Sequence, residues 1–458
     1  MYIRNVLAIL CVAIGLATLL TVRIAADPAP QQSSSPQPGA VGKFNGPGAC
    51  AASSCHGGVQ PKNITRIWQN EFSIWAAQDK HARAYSVLSN PVSLRMGKIL
   101  QLEQPPNKTE KCLVCHSLYV PAELRAATFQ PDDGVSCENC HGPAVGWLGP
   151  HTMKDWQHEQ SVKVGMYDTR DLVKRAERCL TCHLGTPEKQ VDHEMIAAGH
   201  PDLTFELDSF SAAMPRHWKA NRSDDAWFAV QVWAVGEAVQ LRESLNRLSR
   251  RASGPNWPEY AELDCFACHH SLTPADASWR QAVGYKGRRP GVPAWNASRY
   301  LVFRYFAAIV DPQTTQRMET ALDHLSLLIG KSASPQEISS TALNTSALVD
   351  TLVQKIRTQR YDQDVTARMM LAIAGNSEVI AAAGERTAEQ ATMALDSLSI
   401  AYTANTKVAN ANELRAAINN LFPQLQSPSA YNAPQFRQQL QKVQALLPRP
   451  AQASNAGR

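Results

Sequence analysis

The sequence predicts a mainly α protein with few or no strands: a loop-rich region over residues 48–290, then an all-α region over 291–450. Three observations carry this expectation. Helix caps and apolar residues at helical spacing run almost unbroken from about residue 295; a long capped helix precedes them at 223–251; and Pro and Gly clusters near 105, 142–150 and 201 cut the chain before it into short pieces. With 458 residues, 44% hydrophobic and 19% charged, the chain has the length for two or three domains and a composition that excludes disorder for most of it.

The first 26 residues, MYIRNVLAILCVAIGLATLLTVRIAA, place an apolar run between Arg4 and Arg23, the pattern of a segment for export through the inner membrane. Ile24-Ala25-Ala26 imitates a small-x-small cleavage site, and the run is long for a cleaved leader, so a signal peptide and an uncleaved membrane anchor both stand. Either makes the rest periplasmic or otherwise extracytoplasmic. Residues 27–47 are rich in Pro, Ser, Gln and Gly and read as a flexible linker, with a root-mean-square span of roughly 25 Å.

Within 48–290, Ser223 as N-cap, Asp224 and Asp225 in the first turn, an apolar face through Trp227, Val230, Val235, Val239 and Leu245, and Arg247, Arg250 and Arg251 at the end predict a helix matched to its dipole. In the C-terminal region, Ser334-Pro335-Gln336-Glu337 is a capping box with proline at N1, and Leu348, Val349, Leu352, Val353 and Ile356 line one face of the helix that follows. Further helical runs cover about 364–404 and 411–447, and 451–458 is a disordered tail. The one histidine in this region, His324, reads as a partly exposed structural residue.

Cysteine placement carries the chemistry. Of eleven cysteines, Cys11 lies in the N-terminal apolar run and the other ten form five pairs between residues 50 and 268. Four pairs are Cys-x-x-Cys-His: Cys112, Cys115 and His116; Cys137, Cys140 and His141; Cys179, Cys182 and His183; Cys265, Cys268 and His269. Each is a c-type haem attachment motif, in which two thiols reach two vinyl groups on one porphyrin edge and the next imidazole comes under the iron. The earliest pair, Cys50 and Cys55 with His56, has the same form with two more residues in the loop. Zinc clips and structural disulfides do not require a histidine behind every pair, so five such clusters in an exported chain predict five covalent haem c groups with iron.

The formal charge of +5 and a pI near 8.6 would suit an anionic partner such as nucleic acid. Five haems add about ten negative propionate charges and reverse that balance, so no nucleic-acid partner is expected. Asp132, Asp133 and Glu138, beside the third motif, read as loop solvation rather than a calcium site, and the basic stretch around Arg288 and Arg289 as a propionate contact, a partner contact or an ordinary loop.

Iron with two protein ligands exchanges electrons, whereas iron with one binds small molecules. Eight histidines lie outside the motifs: His81, His151, His158, His193, His200, His217, His270 and His324. They are enough to fill every distal position, so counting alone does not decide. Met153, Met195 and Met214 are weaker candidates.

The ordered set WAAQDKHARAY, KCLVCH, GVSCENCHGP with His151 ten residues beyond His141, and RCLTCH resembles the tetrahaem cytochrome c-554 type of multihaem c-type cytochrome, over roughly residues 48–200. That family transfers electrons outside the cytoplasm through haems in closely stacked pairs. The resemblance implies that His151 caps the first haem opposite His56, and that His81 caps the third opposite His141. The fourth, on His183, takes a downstream histidine, His200 in preference to His193, which leaves His193 or His217 for the fifth. It also leaves the second haem without a distal protein ligand, making His116 the candidate open site. The chain departs from the family in its longer first motif, its fifth motif and its cysteine-free tail.

These readings favour an electron-transfer protein working between redox partner proteins, with membrane anchoring left to the N-terminal segment and oligomeric state unassigned. The alternative is a haem oxidoreductase acting on a small nitrogen or sulfur species at an open haem. Pentahaem nitrite reductases share the haem number but use Cys-x-x-Cys-Lys at the catalytic haem, and every motif here ends in histidine. The chain has no phosphate loop, metal-hydrolase motif or nucleophile elbow.

Overall fold

The computed structural model describes residues 43–63, 65–219, 226–269, 293, 295–426 and 430–450. The export segment, the linker, Ser223 to Asp225, His270, Arg288, Arg289 and the tail after 450 lie outside the described residues. Among the described residues there is no strand, only two isolated bridges, Phe44 with Arg125 and Leu263 with Trp295.

The first region is a series of short helices joined by turns: α1 Glu71–Gln78, α2 Pro91–Ile99, α3 Glu110–His116, α4 Cys137–His141, α5 His158–Lys163, α6 Leu172–His183, α7 His193–Ala197 and α8 Leu207–Ala213. Their starts are written locally. Asn90 accepts from the Ser93 N–H at 2.8 Å with Pro91 following, Asp171 accepts from Val173 and Lys174, and Asp192 accepts from Met195. The long α9, Phe228–Ala252, is followed by α10 Leu301–Val310, α11 Pro312–Gly330, α12 Pro335–Thr358, α13 Gln363–Gly375, α14 Ser377–Ala382, α15 Glu385–Asn405, α16 Ala411–Asn419 and α17 Ala433–Leu446. At the start of α12, Ser334 accepts from the Glu337 N–H at 3.2 Å, as the capping box predicts.

One hydrophobic core runs from Val173 in α6 to Leu447. Helix α9 lies at its centre, packed on α6, α8, α10, α12 and α15. The sequence predicts an apolar stripe on α9, and Val230, Val235, Val239 and Leu245 are indeed fully buried. Burial extends around the helix, however, and takes in Arg247, whose Nε lies 2.7 Å from Glu262 Oε1 while its guanidinium also donates to the Leu184 carbonyl. Arg247 is thus an internal tie rather than a solvated dipole partner. Gly236 allows the close approach of α8, because a Cβ there would come within 2.5 Å of Leu207 Cβ. His324 is exposed on α11.

Residues 43–170 are different. Their own apolar side chains form only a small cluster, Leu118, Val120 and Phe129 with Phe44 against it. Glu138 corrects the solvation reading: it is 2% exposed, and its carboxylate accepts from the backbone N–H groups of Gly46 (2.7 Å), Asn45 (2.9 Å) and Ala144 (2.6 Å). It ties the start of the folded chain to the third motif.

Glu206 and Glu237 sit together in the large core. Burial pushes the Glu206 carboxyl from 4.5 up to about 7, and burial with Glu206 alongside pushes Glu237 well above its ordinary range. The folded chain therefore holds protons that the unfolded chain releases between these values, so the stability this pair contributes is full at the acid end and is lost as pH rises through that window. The melting temperature should fall from pH 5 to 7.5. Glu237→Gln keeps the oxygen that accepts from Gln390 Nε2 at 2.6 Å and removes the charge. It should make the fall with pH shallower, read by calorimetry of both proteins across the range; identical slopes would refute the assignment.

Candidate haem sites

The Cys-x-x-Cys-His segments at 112–116, 137–141 and 179–183 each close a helix, α3, α4 and α6. Helical spacing puts the two cysteines, three residues apart, on one face and turns the histidine toward the next. At the fifth motif Cys265–Ala267 forms a 3₁₀ turn in which the His269 N–H donates to the Cys265 carbonyl at 2.7 Å. The longer first motif reaches the same end: the His56 N–H donates to the Cys50 carbonyl at 3.2 Å, and Cys55 folds back on Ala52 at 2.8 Å. The two added residues bulge outward while the histidine keeps its relation to the first cysteine. All ten cysteines are free thiols.

Four of the five motif histidines meet one histidine from elsewhere in the chain. Ring centres of His56 and His151 are 6.2 Å apart with planes 5° from parallel. His183 and His81 are 6.3 Å apart at 85°, His116 and His200 6.4 Å at 85°, and His269 and His193 6.3 Å at 35°. With a metal–imidazole bond of about 2 Å, and about 1.1 Å from ring nitrogen to ring centre, two imidazoles sharing one metal have centres about 6.3 Å apart. His217 stands beside His141, where burial and then the charge of His217 hold the His141 imidazole at about 4, neutral at physiological pH.

Nitrogen chemistry agrees with this pairing. Nδ1 of His116 donates to the Ala84 carbonyl (2.8 Å), of His151 to Trp147 (3.0 Å), of His200 to Pro201 (2.8 Å) and of His217 to Pro215 (3.2 Å). Nδ1 of His56 faces Glu71 at 2.9 Å and that of His81 faces Asp79 at 3.1 Å. A proton fixed on Nδ1 leaves the Nε2 lone pair free for a metal. His158 is the reverse: its Nε2 is bound to Asp168 at 2.9 Å, which removes it from the ligand set. Among the described residues no three His, Cys, Asp or Glu side chains converge as a bare metal site would require. Paired imidazoles, half-buried free thiols and a region with little core of its own are what covalently held haem fits.

Two expectations change. His81 meets His183 rather than His141, because Asp79 accepts from both the backbone N–H and Nδ1 of His81 and fixes the ring toward the end of α6. His200 meets His116 rather than His183, so the second motif has a distal partner instead of an open face. His193, one of two alternatives for the fifth motif, stands opposite His269, and the other, His217, is at the third. The first pair is as the resemblance implies.

Neighbouring motifs adjoin at their thiols. Cys50 and Cys137 act on each other's ionisation, joining motifs one and three, and Cys115 and Cys182 do the same, joining two and four. Cys140 and Cys179 act on each other's ionisation, linking three to four. The fifth motif adjoins the second: Asp202, just past His200, acts on Cys265, and Lys111 beside Cys112 pairs at 2.7 Å with Asp192 beside His193. The spatial order is one, three, four, two, five.

A mainly α scaffold carrying such motifs, four of their histidines opposed by a second imidazole, defines a c-type cytochrome with covalently bound haem c. Residues 49–142, which hold the first three motifs, match the family model described as cytochrome c554 and c-prime. No curated protein and no solved structure matches the chain.

Proposed function

We propose that this c-type cytochrome is a five-haem electron relay outside the cytoplasm, passing electrons between redox partner proteins along the order one, three, four, two, five. The observation that carries the reading is the set of four imidazole pairs at 6.2–6.4 Å, each with one ring from a motif and one from outside it. Haem c supplies reversible one-electron exchange, and two axial imidazoles leave its iron no vacant position. The ten ligand histidines are His56 with His151, His116 with His200, His141 with His217, His183 with His81 and His269 with His193, and the ten paired cysteines are the attachment points.

The described ends of the order differ in exposure, since Cys265, Cys268 and His269 of the fifth motif are exposed whereas Cys50, Cys55 and His56 of the first are half-buried. This favours the fifth site as a point of contact with a partner. Export rests on the N-terminal 26 residues and on the habit of the family, and among the described residues no helix is long and apolar enough to cross a membrane. A catalytic reading needs an open iron, and the position that the resemblance leaves open, over His116, has His200 across from it.

Purified protein should weigh about 3.1 kDa more than its processed polypeptide, the mass of five covalent haems. Its oxidised spectrum should be low-spin throughout and indifferent to nitrite and hydroxylamine. A high-spin fraction that shifts with either compound would replace the relay by the enzyme reading, and a smaller mass increment would remove a site.

A further inference from the structure

We propose that the C-terminal helices are a clamp that holds His200 against His116, with Gln390, Arg386 and Arg299 as positioning residues; the inference rests on the reading of His116 and His200 as one axial pair. After α7 the chain runs without regular structure from His200 to Glu206. Such a segment has no internal ladder to fix it, so its path is set by what grips it from outside.

Its grips come from the far end of the sequence. Arg299 Nη1 donates to the Leu203 carbonyl at 3.2 Å, and Gln390 Nε2 donates to the Phe205 carbonyl at 3.2 Å. Arg386 Nε lies 3.6 Å from Asp202 Oδ2, and Ser397 Oγ donates to Asp208 Oδ2 at 2.5 Å. Arg386, Gln390 and Ser397 all lie on α15. Phe205 and Leu207, between these grips, are each 1% exposed. On the cytochrome side, His200 is held through its own N–H on the Met195 carbonyl at 2.9 Å and its Nδ1 on the adjoining Pro201.

The same segment also reaches the fourth site. Phe205 lies against the His183 ring at 5.3 Å with planes 29° apart. A shift of residues 202–206 therefore loosens the ligand at one site and the packing at its neighbour. The family match ends at residue 142 and includes neither His200 nor α15. Closure of the second site is thus a property of the added part of the chain, acting through partners that orient a ligand rather than bind the metal.

The test compares three full-length proteins by electron paramagnetic resonance and by cyanide binding, each checked for haem mass and melting temperature. His200→Ala should convert one haem to high spin and bind one cyanide per chain. Gln390→Leu should show the same high-spin signal in a measurable fraction of molecules with its haem mass unchanged, and Arg386→Gln combined with Ser397→Ala, which leaves the buried Gln390 contacts intact, should do so to a lesser degree. If His200→Ala stays wholly low-spin, the axial pair is wrong and the clamp falls with it. If His200→Ala responds and the folded α15 variants remain low-spin and blind to cyanide, the pair stands and the clamp is refuted. Should Gln390→Leu fail to fold, the Arg386→Gln, Ser397→Ala protein decides between these outcomes.

Discussion

A chain cut after residue 292 should fail to give a soluble cytochrome even though it keeps every cysteine and all ten proposed ligands. Helix α9 lies before the cut, but most of what covers it lies after. Val232, Trp233, Val235, Val239, Leu241, Leu245 and Leu248 are at most 3% exposed, and Trp233 packs on the Phe306 ring at 5.3 Å. Removing α10, α12 and α15 uncovers much of this surface while α6 and α8 still hold the remainder. Each large apolar side chain returned to water forfeits about 1.5–3 kcal/mol. Losing even half of the seven exceeds about 5 kcal/mol, the lower bound of a typical domain's whole stability. The truncated protein should appear in the insoluble fraction, with soluble haem-stained product reduced at least roughly tenfold against the full chain. A monodisperse, fully haem-loaded product would mean that α9 finds other cover and that the shared core is dispensable.

What the sequence discloses here follows from how local each signal is. Motif spacing is local: two thiols and an imidazole within five or seven residues serve one porphyrin, so the attachment sites can be read off the chain. Helix starts are local too, and Asn90, Asp171, Asp192 and Ser334 cap where their side chains say they should. Distal partners are not local. His81, His151, His193, His200 and His217 have no shared flanking pattern, and the acceptors that fix Nδ1 of three of them are backbone carbonyls, which leave no mark on the sequence. Asp79 two residues before His81 was a visible hint of a ligand, and Asp168 ten residues beyond His158 became meaningful only when their distance was known.

Of the two pairings that the resemblance implies inside the part of the chain it covers, His151 stands opposite His56, whereas His81 stands opposite His183 rather than His141. His200 stands opposite His116 rather than His183, and the segment after it, Asp202, Leu203 and Phe205, is held by residues from about one hundred to nearly two hundred positions away. Helix α9 was legible as a helix but not as the centre of a core, since an apolar stripe is visible in sequence while the partners that bury the opposite face are not. Glu138 misled for the same reason: a carboxylate close to two aspartates reads as solvent-facing until the N–H groups of distant Asn45 and Gly46, with that of nearby Ala144, are found pointing at it.

Replacing Cys137 and Cys140 together with alanine should divide the proposed relay. The third motif is the junction of the spatial order, with Cys137 beside Cys50 of the first and Cys140 acting on Cys179 of the fourth. The variant should weigh about 0.6 kDa less than the parent, one haem. After rapid partial reduction by a small reductant, the parent should settle as a single pool in which all sites exchange electrons. The variant should split into two pools that equilibrate only slowly, the first site alone and the fourth, second and fifth together. The matching change at the opposite end, Cys265→Ala with Cys268→Ala, removes the same mass from an exposed site that has a neighbour on one side only. It should leave one connected pool of four. Stopped-flow absorbance resolved by site potential distinguishes these outcomes. One pool after loss of the third site, or two after loss of the fifth, would mean that the thiol contacts do not trace the path of the electrons and that the order drawn from them is wrong.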